Sequence, residues 1–138
     1  MLRRDFVSKI IEQMVNAVAR LLELNIEEPQ KFADEFDELL QIYFRLKAED
    51  LGLLLEKNEE RDALLLDEKL KNYQIKLFIQ AGFTFVYAQE LPKAKLCVGI
   101  IRRIQQQHSH VFEFPSIENS KLNQELIELE ALISESTH

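Results

Sequence analysis

Glycine and proline are scarce in this chain: three of each among 138 residues, where average usage gives about sixteen of the two together. Sandwiches, barrels and doubly wound sheets draw on these residues for their many turns. A chain this poor in them is restricted to long elements and few turns. With 46% hydrophobic and 30% charged residues it is neither disordered nor fibrous. It is long enough to bury roughly two thirds of the surface its unfolded chain exposes, and no stretch approaches the roughly twenty apolar residues of a membrane span. These features predict a single all-α domain over 1–138, a compact bundle of about five or six antiparallel helices.

Apolar spacing divides the chain. Ile10, Ile11, Met14, Val15, Val18, Leu21 and Leu22, with Phe6 and Val7 ahead of them, draw one stripe on a helix over 5–24. Pro29 suits a helix start, where its missing N–H costs nothing. Phe32, Phe36, Leu39, Leu40, Tyr43 and Phe44 then give a second helix over 30–48, which a short connection pairs antiparallel with the first. The leucine runs at 51–55 and 64–66 lack a clear period and read as short helical turns across 49–66. A longer helix from Asp67 becomes apolar all round over Ile75 to Ala88, as befits the middle of a bundle. Another follows from Pro92 to Gln107, then a loop over His108 to Ser116 with a short extended stretch at 111–114. A last helix from Ser120 carries Leu122, Leu126, Leu129 and Ile133.

The net charge of -7 argues against nucleic-acid and anionic-membrane binding, both of which need a basic surface. Charge is uneven, however. Lys71, Lys76, Lys93, Lys95, Arg102 and Arg103 against Glu90 alone give 71–110 a net +5. That block either pairs with acidic segments of its own fold or offers a docking surface to an acidic partner. A single cysteine, Cys97, sits in the apolar run Leu96-Cys97-Val98 and reads as a buried small hydrophobe in a reducing compartment. Asp5, Lys9 and Glu12 interrupt any secretory hydrophobic run after Arg3 and Arg4, so a cytoplasmic location is expected.

The hairpin of the second half carries a pattern with a mechanism. Phe78-x-x-Ala81-Gly82-x-x-Phe85, then Ala94 and Val98, follows the spacing of a tetratricopeptide repeat. A glycine inside a helix costs about 1 kcal/mol relative to alanine. The expected return is close approach: Gly82 meets Ala94, and Phe78, Phe85 and Val98 interlock around them. Gln106 replaces the repeat's usual closing proline, and no second copy lies one period away. Repeats of this kind contact peptides through the inner positions of the first helix, here Lys76, Ile79, Phe83, Val86 and Tyr87. That face is either an apolar groove or is covered by the first two helices. Taken with the opening Met1-Leu2-Arg3-Arg4-Asp5-Phe6, Ile11-Glu12-Gln13 and the acidic amphipathic second helix, the hairpin makes the chain resemble a family of small bacterial proteins with tetratricopeptide-like helices. The resemblance implies that fold and assigns no activity.

Catalytic and ligand constellations are thin. Carboxylate pairs such as Asp34/Glu38 and Glu125/Glu128 share helix faces, but the Glu-x-x-His of di-metal bundles is missing. His108 and His110 offer two imidazoles with only Glu113 beside them. No hydroxyl stands on a glycine-bounded turn, and Gly52, Gly82 and Gly99 form no phosphate loop. The expected function is therefore a non-enzymatic scaffold, without cofactor or metal, that binds a protein or peptide partner. Phe83 and Tyr87 would anchor that partner, and Lys76 would orient an acidic group on it. The alternatives are a structural homo-oligomer, through the last helix or through first-helix residues such as Met14 and Val18, and more distantly a small-molecule or metal enzyme.

Overall fold

The computed structural model describes residues 2–24, 28–108 and 116–137, with backbone alone for 2–6. Among these residues there are seven helices and no strand. They are α1 (Leu2–Glu23), α2 (Pro29–Phe44), a 3-10 helix (Ala48–Leu55), α3 (Glu59–Leu65), α4 (Lys71–Tyr87), α5 (Leu91–Gln107) and α6 (Ile117–Ser136). The all-α expectation holds, but the helices number seven rather than five or six because 49–66 resolves into two separate elements. Leu51 and Leu54, three residues apart, are buried, while Leu53 and Leu55 are exposed. That is the three-residue turn of a 3-10 helix, which a search at 3.6 does not register. The extended stretch expected at 111–114 and the Phe6 side chain lie outside the described residues.

Helix ends follow local chemistry. Asn58 and Ser116 cap α3 and α6 by accepting the Arg61 and Asn119 amides at 2.9 and 3.0 Å. α4 begins at Lys71 rather than at 67, because the Asp67 carboxylate accepts the amides of Lys69 and Leu70 at 2.9 and 3.3 Å and holds a turn there. α2 stops at Phe44 rather than 48, where Arg45 turns left-handed (φ 56) and donates its N–H to the Leu40 carbonyl. α4 closes the same way: Gln89 has φ 63, its N–H reaches the Val86 carbonyl at 3.0 Å, and the Glu90 N–H reaches Phe85 at 2.8 Å. This is a Schellman ending with glutamine in the place that favours glycine. Gln89→Gly should raise the unfolding free energy by about 1 kcal/mol, read from the urea midpoint, because only the side chain opposes that backbone.

Buried apolar residues from all seven helices form one core, and α4 is its axis, touching α1, α2, α5 and α6. Its Phe78 and Phe85 meet Phe36 of α2 edge-on at 5.8 and 6.0 Å, and Phe36 stacks on Phe32 at 6.0 Å. The helices are not uniformly antiparallel. Lys76 reaches Glu118, and further along both helices Gly82 lies against Leu129, so α6 runs parallel to α4.

The glycines mark close approaches. A Cβ on Gly82 would stand 2.6 Å from Leu129 Cδ2, so this glycine makes room for α6, a helix outside the expected hairpin. Phe78 and Phe85 meet Phe36 of α2, the Phe85 ring also lies under the Lys93 ammonium of α5, and Val98 lines a groove with Ile133 of α6. Spacing announces that two backbones come close without naming the second. Gly52 lies against Leu96 and Gly99 against Leu55, seating the 3-10 helix on α5 from both sides.

Two polar features cross the core. Arg103 on α5 holds the Asp62 carboxylate through two bonds of 2.7 and 2.8 Å and donates to the Leu54 carbonyl at 3.3 Å, joining α5, α3 and the 3-10 helix. The pair is 20% and 17% exposed. Hydrogen bonding from Arg103 holds the Asp62 carboxyl below its ordinary value, against the opposing effect of burial. A carboxylate depressed in the fold adds stability that is complete above its unfolded pKa, about 3.9, and lost as pH falls through the folded value. Asp62→Asn should therefore cost about 2 kcal/mol at pH 7, and the deficit should shrink below about pH 4 in urea titrations across pH. The second feature is Gln74 on α4, 0% exposed. Its amide nitrogen faces Met14 Sδ of α1 at 3.6 Å, and its oxygen has no hydrogen-bond partner.

Candidate partner-binding face

α4 buries most of its circumference and leaves one flank open. Tyr73, Lys76, Gln80, Phe83 and Tyr87 recur at three- and four-residue steps along that flank, all exposed or half-buried. The five positions expected to line an inner face divide between two environments. Ile79 and Val86 belong to the core, three residues before and four after Gly82 on the side where α6 sits. Phe83 is half-buried with its ring packed on the core. Tyr87 is 76% exposed. Cover over the inner edge of this face comes with α6; α1 and α2 meet α4 elsewhere, at Gln74, Phe78 and Phe85.

Lys76 and Tyr87 do not converge. Eleven residues of helix place them about 16 Å apart along the axis, and the Lys76 ammonium lies 3.2 Å from Glu118. Lys76 borders a polar hollow of about 350 Å³ with Lys69, Lys71, Tyr73, Glu68 and Glu118, where two carboxylates offset most of the charge of three lysines. Three more cations of the basic block are engaged within the fold: Lys93 pairs with Glu90, Arg102 with Glu130 and Arg103 with Asp62. Two shallow grooves have a lower share of polar surface. One of about 320 Å³ runs between α5 and α6 beside Lys95, Val98 and Ile133. The other, about 250 Å³, runs between α1 and α2 beneath Ile42 and Tyr43.

Reactive groups are held in structural roles. Cys97 is fully buried, and burial pushes its thiol pKa far up, leaving it un-ionised at neutral pH. His108 follows the last turn of α5 with its Nε2 3.1 Å from the Leu66 carbonyl; His110 and Glu113 lie outside the described residues. Among the described residues no three His, Cys, Asp or Glu side chains group as a metal would require, and no helix is long and apolar enough to cross a membrane. Met14 and Val18 are fully buried within the single chain, so they form no outward face for pairing of first helices. Neither the burial of Gln74 nor the pairing of Asp62 with Arg103, 41 residues apart in the chain, is announced by any local spacing. Comparison with protein-family models, with curated proteins and with solved structures finds no match for this chain.

Proposed function

We propose that this chain is a non-enzymatic helical scaffold of tetratricopeptide-like character that binds a protein or peptide segment along the open flank of α4. The observation that carries the reading is Tyr87, a large ring standing 76% exposed on a helix whose other aromatics, apart from Tyr73, are buried or half-buried. Phe83, one turn earlier, supplies a firm apolar floor. Aromatic side chains that present broad area at low entropic cost are the usual anchors of recognition. The order of helices supports the repeat-like description: α4 and α5 form a tight hairpin, and α6 returns parallel to α4, as the first helix of a following repeat does. The family resemblance of the sequence belongs to the same proposal, as does a cytoplasmic setting.

The partner this flank fits is an extended segment of about five residues, which spans the roughly 16 Å from Tyr87 to Lys76. It places an apolar side chain against Phe83 and Tyr87, and a carboxylate that competes with Glu118 for Lys76. Tyr87→Ala tests this without disturbing the core. Affinity capture from the native cell with the intact protein should lose its partner on Tyr87→Ala, while the circular dichroism spectrum and urea midpoint stay within about 0.5 kcal/mol of the parent. A partner retained at full yield by the variant would refute the assignment.

A further inference from the structure

α6 has a second face. Leu122, Leu126, Leu129 and Ile133 turn inward, while Ile117, Ser120, Gln124, Ile127, Ala131 and Ser134 are all exposed. These six recur at steps of three and four, the spacing of a coiled-coil seam, and none is charged although the helix carries five glutamates and Lys121. Ile117 is 90% and Ile127 59% exposed. We propose that this seam pairs antiparallel with the same seam on a second copy of the chain.

The charges flanking the seam select both occupant and direction. In a parallel pair, Lys121 of each copy faces Ser116 of the other and gains no ion pair, and Glu130, whose charge Arg102 of its own chain partly offsets, approaches Glu135 of the other, a residual repulsion that symmetry doubles. Reversed, with Gln124 of each copy opposite Ile127 of the other, Ile117 falls opposite Ser134 and Ser120 opposite Ala131. Lys121 then comes level with the second copy's Glu128, and that attraction is doubled instead. The small side chains of Ser120, Ala131 and Ser134 let the backbones approach. Gln124, already bonded to Glu128 of its own helix at 3.4 Å, lays its stem along the facing Ile127. This surface lies on the far side of α6 from the flank proposed for a partner, so the two associations are independent. With only two large apolar residues per copy, the pairing is weak.

Sedimentation of the intact chain from about 10 µM to about 1 mM should show a monomer–dimer equilibrium. Ile127→Glu and Ile117→Glu should each weaken it by at least roughly tenfold with unchanged circular dichroism, both sites being exposed. Direction is read by oxidative cross-linking: a mixture of Gln124→Cys and Ile127→Cys chains should form the mixed disulfide faster than either variant forms its own, with buried Cys97 silent. A monomer at every concentration, a dimer indifferent to both glutamates, or faster self-linking of Ile127→Cys would overturn the proposal. So would a monomer that captures a different protein through Ile127.

Discussion

Phe36→Ala is expected to lower the unfolding free energy by about 4 kcal/mol, the upper range for truncating a buried aromatic, measured by urea denaturation at pH 7. Among the described residues Phe36 is the one ring that touches three others, stacking on Phe32 along α2 and meeting Phe78 and Phe85 of α4 edge-on. It is fully buried, so truncation loses its transfer energy and its ring contacts and leaves a void bounded by two helices that cannot both close in. Against a total stability of about 5–15 kcal/mol, this change brings the protein near its threshold. Phe36→Leu, which keeps most of the volume, should cost less than half as much; a loss equal to that of alanine would show that the ring contacts, not the bulk, carry the effect.

Gly82→Val should cost about 3 kcal/mol, and Gly99→Ala should have the opposite sign. Leu129, which a Cβ at 82 would meet at 2.6 Å, is 0% exposed and has no solvent to swing into. The added side chain must push α6 away or force Leu129 off its rotamer. Leu55, which faces Gly99 at 3.2 Å, is 40% exposed and yields outward. There the gain in helix propensity of about 1 kcal/mol prevails. A double-mutant cycle of Gly82→Ala with Leu129→Ala should show coupling of at least about 1 kcal/mol. Additive effects would mean that α6 does not rest on Gly82.

The elements that were legible in the sequence are those whose stripe faces one way. Met14, Val18 and Leu21 in α1, Phe32, Phe36, Leu39 and Leu40 in α2, and Leu122, Leu126, Leu129 and Ile133 in α6 all lie in the core where the 3.6-residue period placed them. The 3-10 helix was hidden because adjacent leucines carry either period. Arg45 concealed the end of α2, since it adopts a backbone that glycine ordinarily signals, whereas α4 ends just ahead of Gln89 as the approach of Pro92 announces. α4 read as apolar all round, which conveys burial without saying which side stays open. Ile79 and Phe83 look alike in such a run, and only the position of α6 separates them. The role of Gly82 was half legible: a helical glycine announces contact, but two helices were available to make it.

Gln74 bears on how α1 finds its seat. A packed helix can slide by a turn and still bury leucine-like surface. The observed placement sets Met14 sulfur against the Gln74 amide nitrogen, and one that set an aliphatic side chain there would leave both ends of that amide without a partner. A residue that costs stability in the assembled fold in this way also discriminates, because every placement of α1 that sets hydrocarbon against it is penalised more than the observed one.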